Sequence, residues 1–368
     1  MKNLHGILFS YERSDALGEL VLPRTNASVP FGGRFRMVDF MLSNMVNAGI
    51  TDIGVVMHGK YQSLLDHLGT GKDWDLSRKY GGLKLLPLDA NADADSDFRG
   101  RIGALHAVKG YLKEIRQDYV MLADSDVVIN LPIQDVLQRH IATGADLTAV
   151  CTAKLNDAAG TTYFKVDENG RIVDTALGQY VPEGYRSLEI FVASTKKLIE
   201  LVEECISHNQ PSLCKGVLQG MVGELNLQAY VWDGYAAQIC SVQEYYSRSM
   251  ELLQSNIRRE LFRADRPIRA KESNNFSSYV DENCRCVASL IADGCVIEGN
   301  VENSILFPGV RVGKGADVKN CILFKDVSVG AGATLHYAIV DKRSKLLDGC
   351  TMMGHEKYPM VIGKDQEI

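Results

Sequence analysis

An internal repeat near the end of the chain restricts the possible folds more than any other feature. Three related segments follow one another at an offset of 17 residues: VENSILFPGVRV at 301–312, VKNCILFKDVSV at 318–329 and LHYAIVDKRSKL at 335–346. An aliphatic residue recurs every six positions, as at Leu306 and Val312. A helix cannot bury this pattern, because six steps of about 100° carry the chain to an opposed face. Three short strands per coil do bury it, which predicts a left-handed parallel β-helix of hexapeptide repeats.

A less regular copy precedes these three, since Leu290–Ile297 parallels Ile305–Val312. A generic β-sandwich with coincidental spacing is the alternative, and the copies in register argue against it. Glycines stand where one strand would turn into the next and backbone freedom is needed, at Gly294, Gly309, Gly313 and Gly330.

The composition is that of an ordinary globular protein. The 368 residues include 40 Lys and Arg against 46 Asp and Glu, so the formal charge is 40 − 46 = −6. We expect at least two domains for this length. The mild acidity gives no electrostatic reason to expect nucleic acid or an anionic membrane as a partner.

Nine cysteines are present, without the spacing of a zinc site. We expect nine free thiols in a reducing cytoplasm, with Cys295 and Cys321 as small fillers of the β-helix interior. The apolar run at the start is interrupted at Tyr11–Arg13, which argues against a signal peptide. No stretch approaches the roughly 18 apolar residues of a membrane span.

Upstream of the repeat, segments typical of strands alternate with segments typical of helices. This alternation predicts a doubly wound α/β sheet, mostly parallel, with ligands at the carboxyl ends of its strands. The domains are predicted at 1–262 and 286–368, with a linker at 263–285. The predicted strands are Leu4–Ser10, Ile53–His58 and Tyr119–Ile129, and the predicted helices are Arg36–Ala48, Ile133–Ala142, Thr195–Ile206 and Gln243–Phe262.

One segment makes a family resemblance specific. The run VPFGGRFRMVDFMLSN at Val29–Asn44 resembles the PFGGxxRxIDFxLSN signature of sugar-nucleotide pyrophosphorylases, in particular the ADP-glucose pyrophosphorylases of bacterial glycogen synthesis. The segment GTGKDWDLSRKYGG at Gly69–Gly82 resembles another loop of that family. The resemblance covers essentially the whole chain. It implies a Rossmann-like, GT-A-like nucleotidyltransferase domain before the β-helix, and an activity that joins ATP to glucose 1-phosphate with release of pyrophosphate.

The phosphate-binding loop departs from that family. Its GGxGTRL motif falls on Tyr11–Leu17 by ungapped counting, so glycines are replaced by Tyr11, Glu12 and Ser14, and the arginine by Ala16. Side chains would fill the space of the phosphates, and Glu12 and Asp15 would repel a nucleotide. The family's Lys-Pro before PFGG is Asn26-Ala27 here, which removes a cation.

Other positions of the resemblance depart as well. The GTADAV segment corresponds to Gly100–Leu105, and EKP to Leu177–Gln179. The first metal position resembles Ser125-Asp126, with Asp124 beside it, while the second metal carboxylate is replaced by the neutral Gln238. We therefore predict no catalytic, cofactor-binding or metal-binding residue, although Asp126 alone is retained. Mg²⁺ is expected only if residual activity exists.

The pattern fits the non-catalytic, GlgD-type subunits of the family. The resemblance implies an oligomer, homo- or heterotetrameric, in which the chain modulates a catalytic partner. Arg24, Arg34 and Arg36 are a candidate anion site for a sugar-phosphate effector, because arginine binds phosphate bidentately; solvated arginines at a helix start are the alternative.

Three other functions remain open. A self-sufficient glucose-1-phosphate adenylyltransferase would need rearranged phosphate contacts. A binding module would sense glucose phosphates without a partner enzyme. An acyltransferase would use His336 in the β-helix, with no accompanying motif, while His58, His67 and His106 fit structural roles.

Overall fold

The computed structural model describes residues 3–10, 15–88, 100–153, 162–179, 181, 183–271 and 275–368. In the first part of the chain the strands are β1 (Leu4–Phe9), β2 (Pro30–Phe31), β3 (Phe35–Arg36), β4 (Asp52–Met57), β5 (Gly82–Pro87), β6 (Tyr119–Asp124), β7 (Val127–Ile129), β8 (Leu147–Thr152), β9 (Thr162–Val166), β10 (Ile172–Leu177), β11 (Tyr185–Ser194), β12 (Leu227–Val231) and β13 (Ala236–Gln238).

The helices alternate with these strands and then end before the repeat. They are α1 (Met37–Asn47), α2 (Gln62–Leu68), α3 (Arg101–Ala107), α4 (Lys109–Glu114), α5 (Ile133–Thr143), α6 (Thr195–Ser207), α7 (Val242–Glu251) and α8 (Ser255–Leu261). None of the helices in the described ranges is long and apolar enough to cross a membrane.

The repeat region contains short strands only. They are β14 (Tyr279–Val280), β15 (Cys286–Val287), β16 (Leu290–Ile291), β17 (Val296–Ile297), β18 (Asn300–Glu302), β19 (Ile305–Leu306), β20 (Arg311–Val312), β21 (Asp317–Lys319), β22 (Ile322–Leu323), β23 (Ser328–Val329), β24 (Thr334–His336), β25 (Ala338–Val340), β26 (Lys345–Leu346), β27 (Thr351–Met353) and β28 (Met360–Ile362).

The chain divides into two compact units that do not follow consecutive ranges. The first comprises Met1–Tyr11, Phe40–Gly59 and Gly69–Ala237, and the second comprises Glu12–Asp39, Lys60–Leu68 and Gln238–Ile368. Two early segments thus belong to the same unit as the repeat. The predicted domains 1–262 and 286–368 are consecutive ranges, whereas each compact unit combines segments that are distant in sequence.

A mixed nine-stranded sheet forms the first unit. The strand order is β10-β9-β11-β6-β1-β4-β5, with β8 paired to β11 and β12. Strands β1, β4, β5 and β6 run parallel, as predicted for an α/β sheet. The expectation of a mostly parallel sheet is wrong beyond β6, because β11 lies antiparallel to β6, β8 and β9.

Two predicted elements are divided in the structure. The strand predicted at Tyr119–Ile129 ends at Asp124 and resumes as β7, because Ser125 and Asp126 form a turn between the two. The helix predicted at Gln243–Phe262 is interrupted where Gln254 takes an extended backbone. The Leu252 carbonyl accepts a hydrogen bond from the Arg258 side chain at 2.7 Å, which satisfies one group at the break.

Helix capping follows the sequence closely. The Ser194 Oγ accepts a hydrogen bond from the Lys197 N–H at 3.2 Å, which makes Ser194 the N-cap of α6. Gly49, which follows α1, has φ of 79°. That left-handed conformation costs glycine little and ends a helix readily.

The repeat forms three five-stranded parallel sheets, one for each side of a coil. Pairing follows the predicted 17-residue offset, with Val301 beside Val318 and Val318 beside Leu335. The first coil begins at β14, which pairs with β17 and lies inside the stretch predicted as a linker. The buried core of this region consists of the small and aliphatic side chains that the period of six selects, Cys295 and Cys321 among them. A hexapeptide-repeat β-helix is therefore confirmed, and all nine cysteines are free.

The corners of the coils hold left-handed residues at the same repeat interval. Gly309 has φ of 77° and Asp326 has φ of 60° at the equivalent position of the next coil. Gly313 and Gly330 serve a different purpose, namely close approach between coils. A Cβ atom on Gly330 would lie 2.5 Å from the carbonyl carbon of Leu347.

We predict that Leu323→Ala lowers the free energy of unfolding by about 2–5 kcal/mol, because a buried side chain of the β-helix core leaves a cavity. Lys345→Ala, at an exposed position of β26, is the control and should change it by less than about 0.5 kcal/mol. Equilibrium urea unfolding measures both. Equal effects of the two substitutions would contradict the assignment of Leu323 to the interior.

Candidate functional site

The carboxyl ends of three neighbouring parallel strands meet at one edge of the nine-stranded sheet. Phe9 of β1 lies beside Val56 of β4 on one side and Asp124 of β6 on the other. The Ser125 N–H donates to the Phe9 carbonyl at 3.1 Å, so the turn after β6 stays attached to β1. In open α/β sheets this edge is where ligands bind, which makes it the candidate site.

A buried arginine occupies this edge. Arg101 is the first residue of α3, directly after Gly100, whose φ of 117° favours glycine. The Arg101 Nε and Nη2 atoms donate to the two carboxylate oxygens of Asp124, each at 2.9 Å. Such a two-point contact is the strongest geometry for a guanidinium and a carboxylate.

A second carboxylate completes the cluster. The Arg101 Nη2 atom lies 2.6 Å from Glu189 Oε2. Arg101, Asp124 and Glu189 are 7%, 5% and 3% exposed, so water screens none of the three well. The Arg101 guanidinium carbon also lies 5.6 Å from the centre of the Phe191 ring.

Glu189 holds an unusual backbone conformation within β11. Its φ is 57°, and the pairing of β11 with β8 shifts register between Ser187 and Ile190. A left-handed conformation costs a residue with a Cβ atom about 1–3 kcal/mol, and it persists only where surrounding contacts hold it. The contact between Glu189 and the Arg101 guanidinium is such a constraint.

Cys214 borders the cluster but is not activated by it. Its Sγ atom lies 3.8 Å from Glu189 Oε2 and accepts a hydrogen bond from Thr162 Oγ1 at 3.4 Å. Burial, and then repulsion by Glu189, raise the pKa of the Cys214 thiol to about 11, against the opposing effect of Arg101. The thiol is therefore protonated at neutral pH and is a weak nucleophile.

These contacts leave one cation between two carboxylates in a dry environment. Across the described ranges, His, Cys, Asp and Glu side chains do not form any group of three or more that could hold a metal ion. The cluster pairs charges of the protein with one another, and Arg101 is the cation that Asp124 and Glu189 share.

The other sequence-predicted residues of the nucleotide site are spread over both units. Tyr11–Ser14 lie outside the described residues, so the comparison of the phosphate loop stays a prediction. Ala16 belongs to a short 3₁₀ helix at Asp15–Val21, and Asn26 and Ala27 are buried in another at Asn26–Ser28. Asp126 is buried in the turn after β6. The ion pair with Arg101 is made by Asp124 and not by Asp126.

The structure also places two further positions of the family resemblance. Gln238 is buried at the end of β13. Leu177 ends β10 and is followed by Gly178, whose φ is 71°.

The predicted anion-site arginines differ in their surroundings within the second unit. Arg24 is buried, and its Nη2 atom donates to both carboxylate oxygens of Asp341, at 2.9 and 2.8 Å. The Arg24 Nη1 atom is also buried and has no hydrogen-bond partner in the described part of the chain. Arg36 donates to the Ser63 carbonyl at 2.6 Å. Arg34 is exposed and lies over the ring of Phe35.

A lysine that the sequence analysis missed belongs to this cationic group. Burial, and then repulsion by Arg36 and Arg24, lower the pKa of Lys342 to about 7, with Asp341 opposing the shift. Burial also lowers the pKa of Arg36 to about 10. Neither sequence spacing nor a motif connects Lys342 with Arg24, because the two meet only where the early segment that holds Arg24 packs on the β-helix.

Two predicted histidines have carboxylate partners in the second unit. His67 Nε2 lies 2.6 Å from Asp39 Oδ1, with both side chains buried, which suits a structural role. His336 Nε2 lies 2.8 Å from Asp317 Oδ2 on the β-helix.

A charged residue beside or within an apolar segment is the signal by which the sequence could have revealed the arginine cluster. Arg101 directly precedes the apolar residues of α3, and Glu189 interrupts the apolar residues of β11. Opposite charges at two such positions indicate a buried pair, since an isolated buried charge is too costly.

We predict that Arg101→Met lowers the free energy of unfolding by about 3–5 kcal/mol, because it leaves Asp124 and Glu189 buried without their cation. Lys196→Met is the control: its pair with Glu200 spans 3.9 Å at the surface, so the loss should stay below about 1 kcal/mol. Urea unfolding of both variants checks the prediction. A small loss for Arg101→Met would contradict a buried, water-excluded cluster.

Comparison with known proteins shows the family to which this chain belongs. The profile described as Nucleotidyl transferase matches residues 19–175, and the profile described as GlmU-like, C-terminal hexapeptide matches residues 273–358. Glycogen biosynthesis protein GlgD of Bacillus subtilis (strain 168) is 35% identical over 362 residues, which cover 98% of this chain and 95% of that protein.

Two proteins of Geobacillus stearothermophilus are also similar. Its glycogen biosynthesis protein GlgD is 34% identical over 85% of this chain and 82% of its own length. Its glucose-1-phosphate adenylyltransferase is 30% identical over 86% of this chain and 83% of its own length. With an α/β nucleotidyltransferase unit, a hexapeptide-repeat β-helix and these relatives, the chain belongs to the family of GlgD glycogen biosynthesis proteins and glucose-1-phosphate adenylyltransferases.

Proposed function

We propose that this chain acts in glycogen biosynthesis as a regulatory subunit of ADP-glucose pyrophosphorylase, with little or no turnover of its own. In this proposal it joins a catalytic subunit in a cytoplasmic heterotetramer and modulates that subunit's activity. The observation that carries the proposal is the buried Arg101 guanidinium between Asp124 and Glu189.

Nucleotidyl transfer requires positive charge where the transferring phosphate develops negative charge. A divalent cation held by carboxylate oxygens normally supplies it in phosphoryl chemistry. Here both oxygens of Asp124 already accept hydrogen bonds from Arg101. An ion could bind there only by displacing a buried guanidinium, which would then lose both hydrogen bonds to Asp124. Asp124 therefore does not fit Mg²⁺, and of the two positions to which the family resemblance assigns the metal, Asp126 is a carboxylate and Gln238 is neutral.

The sequence departures support the same conclusion. Asn26 and Ala27 supply no cation where the family resemblance implies a lysine, and the neutral Gln238 stands where it implies a carboxylate. Removing one electrostatic contact to the transition state typically lowers the rate by about 10²–10³-fold. Losses at several points of one site leave little turnover.

The preserved architecture supports a role through assembly. The nine-stranded sheet and the three sheets of the β-helix are complete in the described residues, although the site chemistry has changed. The name of the Bacillus subtilis relative, which is matched over nearly the full length, refers to glycogen biosynthesis. A chain that keeps its scaffold but has lost one of its two metal carboxylates fits a subunit whose surfaces matter more than its site.

An activity assay with purified subunits tests the proposal. We expect the chain alone to show negligible ADP-glucose synthesis and pyrophosphorolysis. Added to a catalytic subunit, it should raise the activity or change the response to effectors, relative to the catalytic subunit alone at equal total concentration.

Full pyrophosphorolysis of ADP-glucose by the chain alone would overturn the proposal. It would favour the alternative, a self-sufficient glucose-1-phosphate adenylyltransferase with rearranged phosphate contacts. Calorimetric titration with ATP and Mg²⁺ separates the two functions, because the regulatory function predicts no tight binding.

The effector site is proposed at the cationic group of the second unit. Arg24 is buried and keeps one nitrogen without a partner, and Arg36 and Lys342 add further positive charge, which together suit the phosphate of a sugar-phosphate effector. Arg34 remains a proposed member at the surface. Solvation of Arg24, the alternative raised by the sequence, does not fit its burial at 2% exposure.

We predict that anion binding at this group weakens as the pH rises. With a pKa of about 7, Lys342 is cationic at pH 6 and largely neutral at pH 8, so the affinity should fall by up to about tenfold. Calorimetry with sulfate measures it, because the charge of sulfate is constant over this range. Lys342→Met should remove the pH dependence, whereas Lys345→Met, at an exposed position, should retain it. An unchanged profile in Lys342→Met would contradict the assignment.

A further inference from the structure

A cavity lies at the edge of the nine-stranded sheet that is opposite to the Arg101 cluster. It measures about 630 Å³ and is formed where strands β1, β4, β5 and β6 begin. Its lining includes His5, Asp52, Gly82, Tyr111 and Arg116. A cavity of this volume accommodates a small metabolite.

A buried histidine faces this cavity with one nitrogen unused. His5 is 4% exposed, and its Nε2 atom lies 2.7 Å from the Tyr111 hydroxyl. The Nδ1 atom is buried and has no hydrogen-bond partner in the described ranges. A buried polar atom without a partner costs about 1–3 kcal/mol, so a ligand atom at this position would be stabilising.

One tautomer of the neutral His5 ring makes Nδ1 a donor. Burial lowers the pKa of His5 to about 4, an effect that Lys84 reinforces and that Asp52 and the Gln117 side chain oppose. Burial raises the pKa of Tyr111 well above its usual range, so its hydroxyl keeps its proton. When that hydroxyl donates to Nε2, the proton of the neutral His5 ring lies on Nδ1 and is available to a ligand oxygen.

The cations of the cavity differ in their partners. The lining holds three cations, Lys84, Lys113 and Arg116, and two acids, Asp52 and Glu114, so its net charge is 3 − 2 = +1. Lys113 is paired outside the lining, with Glu203 at 3.7 Å, so the positive charge that a ligand can use is that of Arg116.

Both acids already have partners within the lining. Asp52 accepts a hydrogen bond from Gln117 at 2.6 Å, and Glu114 lies 3.7 Å from Lys84. Arg116 makes neither an ion pair nor a hydrogen bond with the described residues. An unpaired guanidinium is a ready partner for a phosphate or carboxylate group.

Two glycines of the Gly69–Gly82 segment keep the cavity wall in place. Gly81 has φ of 76°, and a Cβ atom on it would collide with the Asp52 carboxylate. Gly82 has φ of 91°, and a Cβ atom there would collide with the Leu76 carbonyl oxygen. Glycine is therefore required at both positions to form the cavity wall. This requirement is independent of the other edge of the sheet, where nucleotides would bind.

We propose that this cavity binds a small metabolite with a terminal anionic group, a phosphate monoester or a carboxylate, through Arg116 and the Nδ1 atom of His5. The site is independent of the proposed effector group, which lies in the other unit, and of the Arg101 cluster at the opposite edge of the sheet.

Calorimetry with three matched sugars tests the proposal: glucose 6-phosphate, glucuronate and neutral glucose. We expect saturable binding of at least one of the two anions with a Kd below about 1 mM, and none of glucose. Binding of the phosphate alone assigns the site to phosphate monoesters, and equal binding of glucuronate assigns it to anionic groups in general. An absence of binding by both anions would overturn the proposal.

Variants locate the binding. Arg116→Met, at an exposed position, should weaken the affinity at least about tenfold, while Lys109→Met, which removes an equal charge outside the cavity, should leave it unchanged. His5→Gln, followed by NMR of the histidine ring signals, identifies the His5 resonance, which should shift when the anion is added to the native chain. Binding that survives Arg116→Met but is lost in Lys342→Met would belong to the effector group and would overturn this assignment.

Discussion

The Arg101 guanidinium donates to both oxygens of Asp124 and contacts Glu189 in a place from which water is nearly excluded. This interaction joins the start of α3, the end of β6 and the irregular part of β11. It also helps to hold the left-handed backbone of Glu189, together with the Ser187 Oγ atom, which accepts a hydrogen bond from the Glu189 N–H at 3.1 Å. A guanidinium of the protein itself thus occupies the edge of the sheet at which ligands bind in open α/β folds.

A second buried ion pair has a comparable place in the other unit. The Arg24 guanidinium donates to both oxygens of Asp341, so the segment Glu12–Asp39 is attached to a corner of the β-helix. The same contact collects positive charge, because Arg24 and Arg36 lie near enough to Lys342 to lower its pKa. The Arg101 cluster has one cation and two carboxylates, whereas more cations than carboxylates surround Lys342. That contrast is the physical basis for proposing the effector site at the Arg24 group and not at the Arg101 cluster.

The sequence predicts the β-helix well because its rule is local. Each coil repeats the same apolar spacing, so the register between Val301, Val318 and Leu335 follows from counting. The site is harder to predict, because its partners are distant in sequence and no period connects Arg101 with Glu189. The family resemblance marks Arg101 as a departure, but it does not indicate that the arginine would occupy the carboxylates. Lys342 is missed for the same reason, since its low pKa depends on burial and on Arg36 and Arg24, which are distant from it in sequence.

The most direct test of this account is a titration of the native chain with Mn²⁺ in the absence of nucleotide, followed by electron paramagnetic resonance of the free ion. If Arg101 holds the carboxylates, the chain should take up no stoichiometric ion with a Kd tighter than about 1 mM. One ion bound per chain with a Kd of about 10 μM or tighter would show that the guanidinium yields to the metal, and would contradict the account.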